Sequence, residues 1–546
     1  MFATYMLANF SRNLYNKYAK SFVPLVSRKL HQTKLSVWFW TQAFLGEIIM
    51  KRKSFLLAVL AVVALLCGIF SACNPIPVVE SRSVDFYAIN DFHGATDKMS
   101  TVSGYLTDVK YKNANSVVLN SGDMFQGSLE SNYNFGNLLS DCMDEVGFDA
   151  FTLGNHEFDW GLEKLSALSK QSATPFLGAN IYHWNAETRT WGDFADELAQ
   201  EYTVKTLPSG LKIGIIGVIG EDNITSISSN LVQTIGFKNP ATVIPELSNK
   251  LKTELNCDVV VVSAHTGEET FLEDRTFDVT QYADAVFCAH THYAQTSYRN
   301  GVPFIQGGAY GKNVSHVQLE VSSKGNVTCK VNSNVPYDET WPNKISVKQL
   351  IDNSNDQIRQ QANQVLASAS AYLNKNEAIP RLVSNAIAEY ALSQGYDIDL
   401  AMCNVARAYL SAGEITYSDL YEAIPFDNVV YVAKVSGADI LNEARYNSFW
   451  RISEDAIERD KYYTIAVLDY LLFHQDSSRN YNYFPSAFTS GFEPVPLQKD
   501  GVDVYNYRLI TRDFLLSLPN GTINSPIYSN DNDRTSTNRL QYSVSF

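Results

Sequence analysis

From residue 84 to about residue 331 the chain alternates short apolar runs with longer amphipathic stretches. The runs at 84–89, 116–119, 150–153, 212–218, 258–263 and 285–288 read as strands. One of them, Val259-Val260-Val261-Val262, is β-branched throughout. Continuous runs of this kind fit strands covered on both faces. Strands alternating with helical stretches predict an α/β layered domain spanning 84–335. Residues 345–373 scatter apolar positions among Gln, Asn and Ala, with no Pro or Gly, which predicts one long connecting helix. A second α/β region is expected over 375–525, with a helix at 379–392, a loop around Asn404 and strands at 429–435 and 463–467. Residues 529–539 are polar and expected to fray.

The first 72 residues follow a different rule. Met50-Lys51-Arg52-Lys53 is basic, 54–70 is apolar, and Phe70-Ser71-Ala72-Cys73 places small residues before a cysteine. Basic, apolar and small segments in that order predict an export signal over 50–72 that is not part of the fold. The last four residues resemble the lipobox of bacterial lipoproteins, with Phe70 where Leu is commoner. That resemblance implies that Cys73 carries a lipid anchor. Residues 1–49 precede a complete signal with its own Met and are expected to be a start site placed too early.

Charge sharpens this division. Residues 1–72 carry a net of +8, so the remainder carries −23 of the chain's overall −15. An acidic body is a poor match for nucleic-acid polymers, and nothing points to an obligate protein partner. Any anionic substrate must be drawn in locally. Of the seven cysteines, Cys142, Cys257, Cys288, Cys329 and Cys403 remain in the body. Their number and spacing suit neither a disulfide framework nor a cysteine-zinc module.

The chemistry-bearing residues fall just after the predicted strands. Asn90-Asp91-Phe92-His93-Gly94 follows the first, Asn120-Ser121-Gly122-Asp123 the second and Gly154-Asn155-His156-Glu157-Phe158-Asp159 the third. Ser263-Ala264-His265-Thr266-Gly267 and Ala289-His290-Thr291-His292 follow two later ones. Sites in open α/β sheets lie beyond the carboxyl ends of strands, so these loops can converge. Imidazole, carboxylate and amide oxygen suit divalent ions such as Zn, Mn, Co or Fe. Two such ions about 4 Å apart can clamp a phosphoryl group. Asp123, alone after its strand, is the best candidate for a shared bridge. Five of the nine histidines fall in these motifs; His31, His183, His316 and His474 do not.

Asn-Asp-x-His-Gly and Gly-Asn-His-Glu-Phe-Asp resemble the motifs of the calcineurin-like metallophosphoesterases, in the bacterial 5′-nucleotidase/UDP-sugar hydrolase branch. The resemblance implies a layered α/β-β-α metallophosphoesterase domain, a linker helix and an α/β nucleotidase domain. It implies that Asp91, His93, Asp123 and His292 hold one ion, and that Asp123, Asn155, His265 and His290 hold the other. His292 stands where some members have Gln. His156 with Asp159 would form a dyad that stabilises the transferring phosphoryl group or protonates the leaving oxygen.

For the second domain the resemblance implies a nucleoside pocket. Ile379-Pro380-Arg381-Leu382 is similar to the segment that supplies a phosphate-facing arginine, and Arg407 precedes Pro425-Phe426-Asp427-Asn428, similar to Pro-Phe-x-Asn. Phe426 and Tyr470 would sandwich the base, with Asn428 and Asp476 as polar contacts. The usual Asn-Ser-Gly-Gly-Ile-Arg is here Met402-Cys403-Asn404-Val405-Ala406-Arg407, and His474-Gln475 replaces a Gly-Gly pair. Glycines that let backbone approach a ligand are therefore missing. The expected activity is hydrolysis of extracellular nucleotides to nucleoside and phosphate. The same chemistry on a UDP-sugar, a 2′,3′-cyclic nucleotide or another phosphoester is the alternative. A surface binding lipoprotein with a vestigial metal site is the reading from a different class.

Overall fold

The computed structural model describes residues 81–273, 276–444, 446–450, 456–476, 481–499 and 506–523. The export segment and Cys73 lie outside these residues. Among the described residues no helix is long and apolar enough to cross a membrane.

The N-terminal lobe is built on two six-stranded sheets packed face to face. The first runs in the order Val327–Pro336, Asn313–Val321, Arg82–Ile89, Ser116–Asn120, Ala150–Thr152, Phe176–Leu177. The second runs Ala294–Arg299, Val302–Gly307, Ala285–Phe287, Val259–His265, Lys212–Ile219, Tyr202–Thr206. The strands that precede the motifs pair in parallel: Arg82–Ile89 with Ser116–Asn120, that strand with Ala150–Thr152, and Val259–His265 with Ala285–Phe287. The inner faces meet through Val84, Phe86, Val117, Ile213, Val261 and Phe287. Helices Thr96–Lys112 and Asn137–Val146 cover the outside of the first sheet and Ile244–Thr253 covers the second. The motif-bearing strands Ser116–Asn120, Ala150–Thr152, Val259–His265 and Ala285–Phe287 are buried along their whole length, as strands covered on both faces are.

The connecting helix is shorter than expected. It spans Ile345–Ala362, and Val365–Ala369 is a strand. The segment has no helix breaker, so propensity alone would carry the helix to residue 373. Tertiary pairing overrides it. Val365–Ala369 pairs antiparallel with Gly413–Thr416 and parallel with Thr522–Ile523, and Leu366, Ala367, Ala369 and Leu373 enter the core of the C-terminal lobe. The helix itself straddles both lobes. Val347 and Ile351 pack into the N-terminal core, whereas Ile358 and Ala362 pack into the C-terminal one. Val347, Ile351, Ser354, Ile358 and Ala362 are its buried residues, a stripe at helical spacing.

The C-terminal lobe has a five-stranded sheet in the order Ser448–Trp450, Leu400–Cys403, Tyr462–Leu468, Val430–Ser436, Val495–Pro496. Helix Ala378–Ser393 packs against it and against helix Tyr507–Ser517, which also meets the strand Val365–Ala369. Both lobes belong to one compact unit, Glu80–Phe546. The five body cysteines are free, and all but Cys329 are buried.

Candidate metal centre

Parallel strands aim their carboxyl ends at one point between the two sheets. Asp91 and His93 follow Arg82–Ile89, and Asp123 follows Ser116–Asn120. Asn155 opens the 3-10 turn Asn155–Phe158, His265 ends Val259–His265, and His290 and His292 follow Ala285–Phe287. Ligand-type atoms of Asp91, His93, Asp123 and His292 all lie within 4.8 Å of one another. The same holds for Asp123, His265 and His290. Asp123 belongs to both groups. Asn155 Oδ1 completes the second, 3.2 Å from His265 Nε2 and 3.0 Å from His290 Nδ1.

The backbone works to aim these side chains. Asp91, His93, Asp123, His290 and His292 all adopt positive φ, at 47°, 47°, 53°, 73° and 63°. Non-glycine residues rarely do so, and such strain concentrates at functional sites. Two glycines permit the close packing. A Cβ on Gly122 would run into the His265 ring, and one on Gly154 into the Asp123 carboxylate.

Hydrogen bonds fix the ligand-type groups from behind. The peptide N–H of His290 donates to the Asp91 carboxylate at 3.0 Å, and Asn90 Nδ2 donates to Asp91 Oδ2 at 2.6 Å. The rings of His93 and His265 lie with Nδ1 3.2 Å from the Gln126 carbonyl and 2.8 Å from the Ser121 carbonyl. A carbonyl can only accept, so these contacts make each Nδ1 the donor and leave Nε2 facing the centre.

The donor chemistry fits divalent cations. His93 Nε2 and His292 Nε2 stand 3.0 Å apart. Burial pushes His93 below the usual imidazole range, and burial with Arg407 nearby brings His292 down to about 4. His290 is likewise pushed down to about 4 by burial and the neighbouring His265. Neutral imidazoles gathered around two carboxylates present lone pairs rather than protons. Burial disfavours a charged His265, yet Asp123 outweighs it and lifts His265 to about 9. A cation held between that pair would displace the proton.

Beside the cluster, His156 Nδ1 is 2.8 Å from Asp159 Oδ2, and the His156 peptide N–H donates to Asp123 Oδ1 at 2.9 Å. Burial opposes protonation of His156, but Asp159 and Asp123 prevail and raise its pKa. The dyad therefore stands next to the candidate metal cluster, with the two carboxylates favouring the charged form of its imidazole.

Sequence reasoning gives Glu157 no task. Its carboxylate is buried and accepts from the N–H groups of Asp123 at 2.9 Å, Gly154 at 2.8 Å and Met124 at 2.9 Å. One side chain thus staples the Asp123 loop to the Asn155 loop. The signal was present, since a carboxylate three residues after Gly154 can close a turn on its own backbone.

A cleft of about 1060 Å³ opens from this cluster between the lobes. Arg407, Phe426, Asn428 and Tyr470 line it. The Phe426 ring lies 5.4 Å from the His156 ring with planes 21° apart, and the Arg407 guanidinium carbon is 4.9 Å from the Phe426 centroid. Asn428 Nδ2 donates to Asp469 Oδ1 at 2.8 Å, and Tyr470 meets His474 edge-on. Arg381 is not among the lining residues. It sits one turn into its helix, 3.6 Å from Glu377. The cleft's other cation is Lys375, whose carbonyl accepts from the Ala406 N–H at 2.8 Å. No local pattern distinguished Lys375, because its approach to Arg407 depends on a loop pairing across about thirty residues of chain. Asp476 stands in the short strand Gln475–Asp476, and its side chain lies outside what the structure describes.

This is the layered fold of a phosphoesterase, with two groups of candidate metal ligands at its strand ends. The sequence model of the calcineurin-like phosphoesterases matches residues 84–294, and that of the 5′-nucleotidase C-terminal domain matches 357–445. The chain belongs to this family of calcineurin-like phosphoesterases that carry a 5′-nucleotidase C-terminal domain. It is 24% identical over 418 residues to the endonuclease YhcR of Bacillus subtilis, covering 65% of this chain and 32% of that protein. It is 25% identical over 430 residues to the apyrase of Tabanus yao, covering 67% and 74% respectively. The human 5′-nucleotidase is 23% identical over 367 residues, covering 60% and 62%. The chain thus spans about a third of the endonuclease and less than two thirds of the human enzyme. Among solved structures, the 5′-nucleotidase precursor from Thermus thermophilus superposes with a TM-score of 0.64 at 18% identity, over 81% of this chain and 97% of that one. A 5′-nucleotidase from Staphylococcus aureus gives 0.61 at 19% identity, over 80% and 97%. At these identities the likeness concerns the fold.

Proposed function

We propose that this chain is a metal-dependent phosphoric ester hydrolase that releases phosphate from nucleotides outside the cytoplasm. The observation that carries the reading is Asp123, a buried carboxylate shared by two groups of ligand-type atoms. In this reading Asp91, His93, Asp123 and His292 hold one divalent cation of the Zn, Mn, Co or Fe type. Asp123, Asn155, His265 and His290 hold the other. When bound, the two cations supply Lewis acidity and neutralise charge on phosphoryl oxygens.

The chain's own residues complete the chemistry. Asp159 accepts from Nδ1 of His156, and in the charged ring that Asp159 and Asp123 favour, Nε2 carries a second proton. That proton serves the leaving oxygen or the charge that develops on the phosphoryl group. Arg407 and Lys375 bring positive charge to the cleft of an otherwise acidic body. Tyr470 offers an aromatic face for a base, and Asn404 and Asn428 offer polar atoms near it. The export signal at 50–72 and a lipid on Cys73 would anchor the enzyme in the bacterial cell envelope, on a periplasmic or surface face. Charged nucleotides cross membranes poorly, so salvage there has a clear use.

The test is turnover of p-nitrophenyl phosphate, AMP, UDP-glucose and 2′,3′-cyclic nucleotides, with and without EDTA. Metal-dependent release of phosphate, fastest from a nucleotide, is expected. A metal-replete protein that turns over none of these esters would leave only the binding-protein reading.

A further inference from the structure

The two lobes meet at the candidate centre through an aromatic contact. His156 comes from the N-terminal lobe and Phe426 from a loop of the C-terminal lobe, and their rings stack at 5.4 Å and 21°. That loop is gripped from behind. Arg508, on helix Tyr507–Ser517, is 3% exposed. It donates to the carbonyls of Ile424 at 3.3 Å, Pro425 at 2.8 Å and Phe426 at 2.8 Å, and it pairs with the Asp427 carboxylate. Its guanidinium carbon lies 3.7 Å from the Tyr421 ring centroid. Asn506 Nδ2 also donates to Asp427 at 2.8 Å. From the other lobe, Asn132 Nδ2 reaches the Pro425 carbonyl at 3.2 Å.

A guanidinium taken out of water is costly unless its hydrogen bonds are met. Here three successive carbonyls gather on Nη1 and the Asp427 carboxylate takes Nη2, while Nε is left without a partner among the described residues; the Nη1 contacts tie the backbone at Phe426 to the guanidinium. The ring that this backbone carries rests on the imidazole next to the candidate metal cluster. Asp159 holds His156 by one hydrogen bond at Nδ1, and the His93 ring meets it edge-on at 5.2 Å; the ring can still tilt about these two contacts. A flat aromatic face against it removes the tilt.

We propose that Phe426 is a positioning residue for His156, and that Arg508 locks Phe426 in that position. The inference rests on the phosphoesterase reading, in which His156 acts on the reacting group. It has a consequence that base stacking alone would not have: Phe426 matters for every ester, including one with no base.

The experiment uses the full chain loaded with zinc and p-nitrophenyl phosphate as substrate. Phe426→Leu keeps the volume but loses the flat face. It is expected to lower kcat about tenfold with KM little changed, and Phe426→Tyr to recover most of that loss. Arg508→Lys keeps the charge but loses the fork, and is expected to lower kcat in the same sense. In the Phe426→Leu background the same lysine should add less than about a twofold loss, because both act through one ring. An unchanged kcat in Phe426→Leu, with loss only in KM for nucleotides, would overturn the proposal; so would fully additive losses. A second readout needs no turnover. Proton spectra of isotope-labelled histidine, with His156 assigned from His156→Gln, should show its ring protons shifted by the Phe426 ring current. That shift should vanish in Phe426→Leu and shrink in Arg508→Lys. If wild-type protein lacks turnover, the hydrolase reading fails while the spectra still decide the contact; ring protons that do not move in either variant would overturn it.

Discussion

In the N-terminal lobe the side chains that face the cleft are aimed by backbone. Five of the candidate ligands sit in left-handed conformations at strand ends, and Glu157 fastens two of the loops through their own N–H groups. In the C-terminal lobe the facing side chains come from scattered segments. Lys375, Arg407, Phe426, Tyr470 and Asn506 stand on separate loops and helix ends, held by side-chain partners such as Arg508, Asp427 and Asp469. A centre built on strand ends can use the donors of five short motifs. A cleft built on side-chain contacts can exchange one residue for another while keeping its shape. The first arrangement is suited to invariant chemistry and the second to a changeable choice of substrate.

Five substitutions would break or sharpen this contrast. The largest effect is expected from Asp123→Asn, which touches both groups of ligands. Turnover should fall by about a thousandfold or more, and bound metal measured by elemental analysis should drop with it. Retention of both ions in that variant would remove Asp123 as the bridge. Next, His156→Ala should lower kcat by about a hundredfold while metal content stays near wild type. Equal loss of metal would make His156 a ligand rather than a proton donor. In the C-terminal lobe, Lys375→Ala should raise KM for AMP by about tenfold, and Arg381→Ala by less than about twofold, since only Lys375 lines the cleft. The reverse order would return the phosphate-facing role to Arg381. The smallest effect concerns stability. Burial pushes the Asp469 carboxyl from 3.8 up to about 6. Between those values the folded chain binds a proton that the unfolded chain has released, so stability falls as pH rises through that window. Asp469→Asn should remove that part of the slope, on the order of 2–3 kcal/mol at most, in urea melts at pH 4 and pH 6.5. Identical slopes in the two proteins would place the titration elsewhere.

The contrast also explains what could be read without a structure. The layered fold was legible because runs such as 212–218 and 259–262 state their burial on both faces. The gathering of Asp91, His93, Asp123, Asn155, His265, His290 and His292 was legible because each follows a strand whose direction is fixed by parallel pairing. The end of the connecting helix was not. Nothing between residues 345 and 373 breaks a helix, and the strand Val365–Ala369 exists only because Gly413–Thr416 and Thr522–Ile523 flank it. Arg381 was singled out by its neighbours in sequence, yet it turns to Glu377. Lys375 and Arg508 carried no local mark at all. Their positions are set by partners far along the chain, and no periodicity records such partners.

The left-handed turns at Asp91, His93, Asp123, His290 and His292 also set stability against chemistry. A glycine at any one of them would relax a conformation that costs about 1 kcal/mol or more and would delete a metal donor in the same stroke. Drift toward sturdier sequences therefore runs toward losing the centre. A chain of this fold that no longer needed cations would be expected to shed these five residues early.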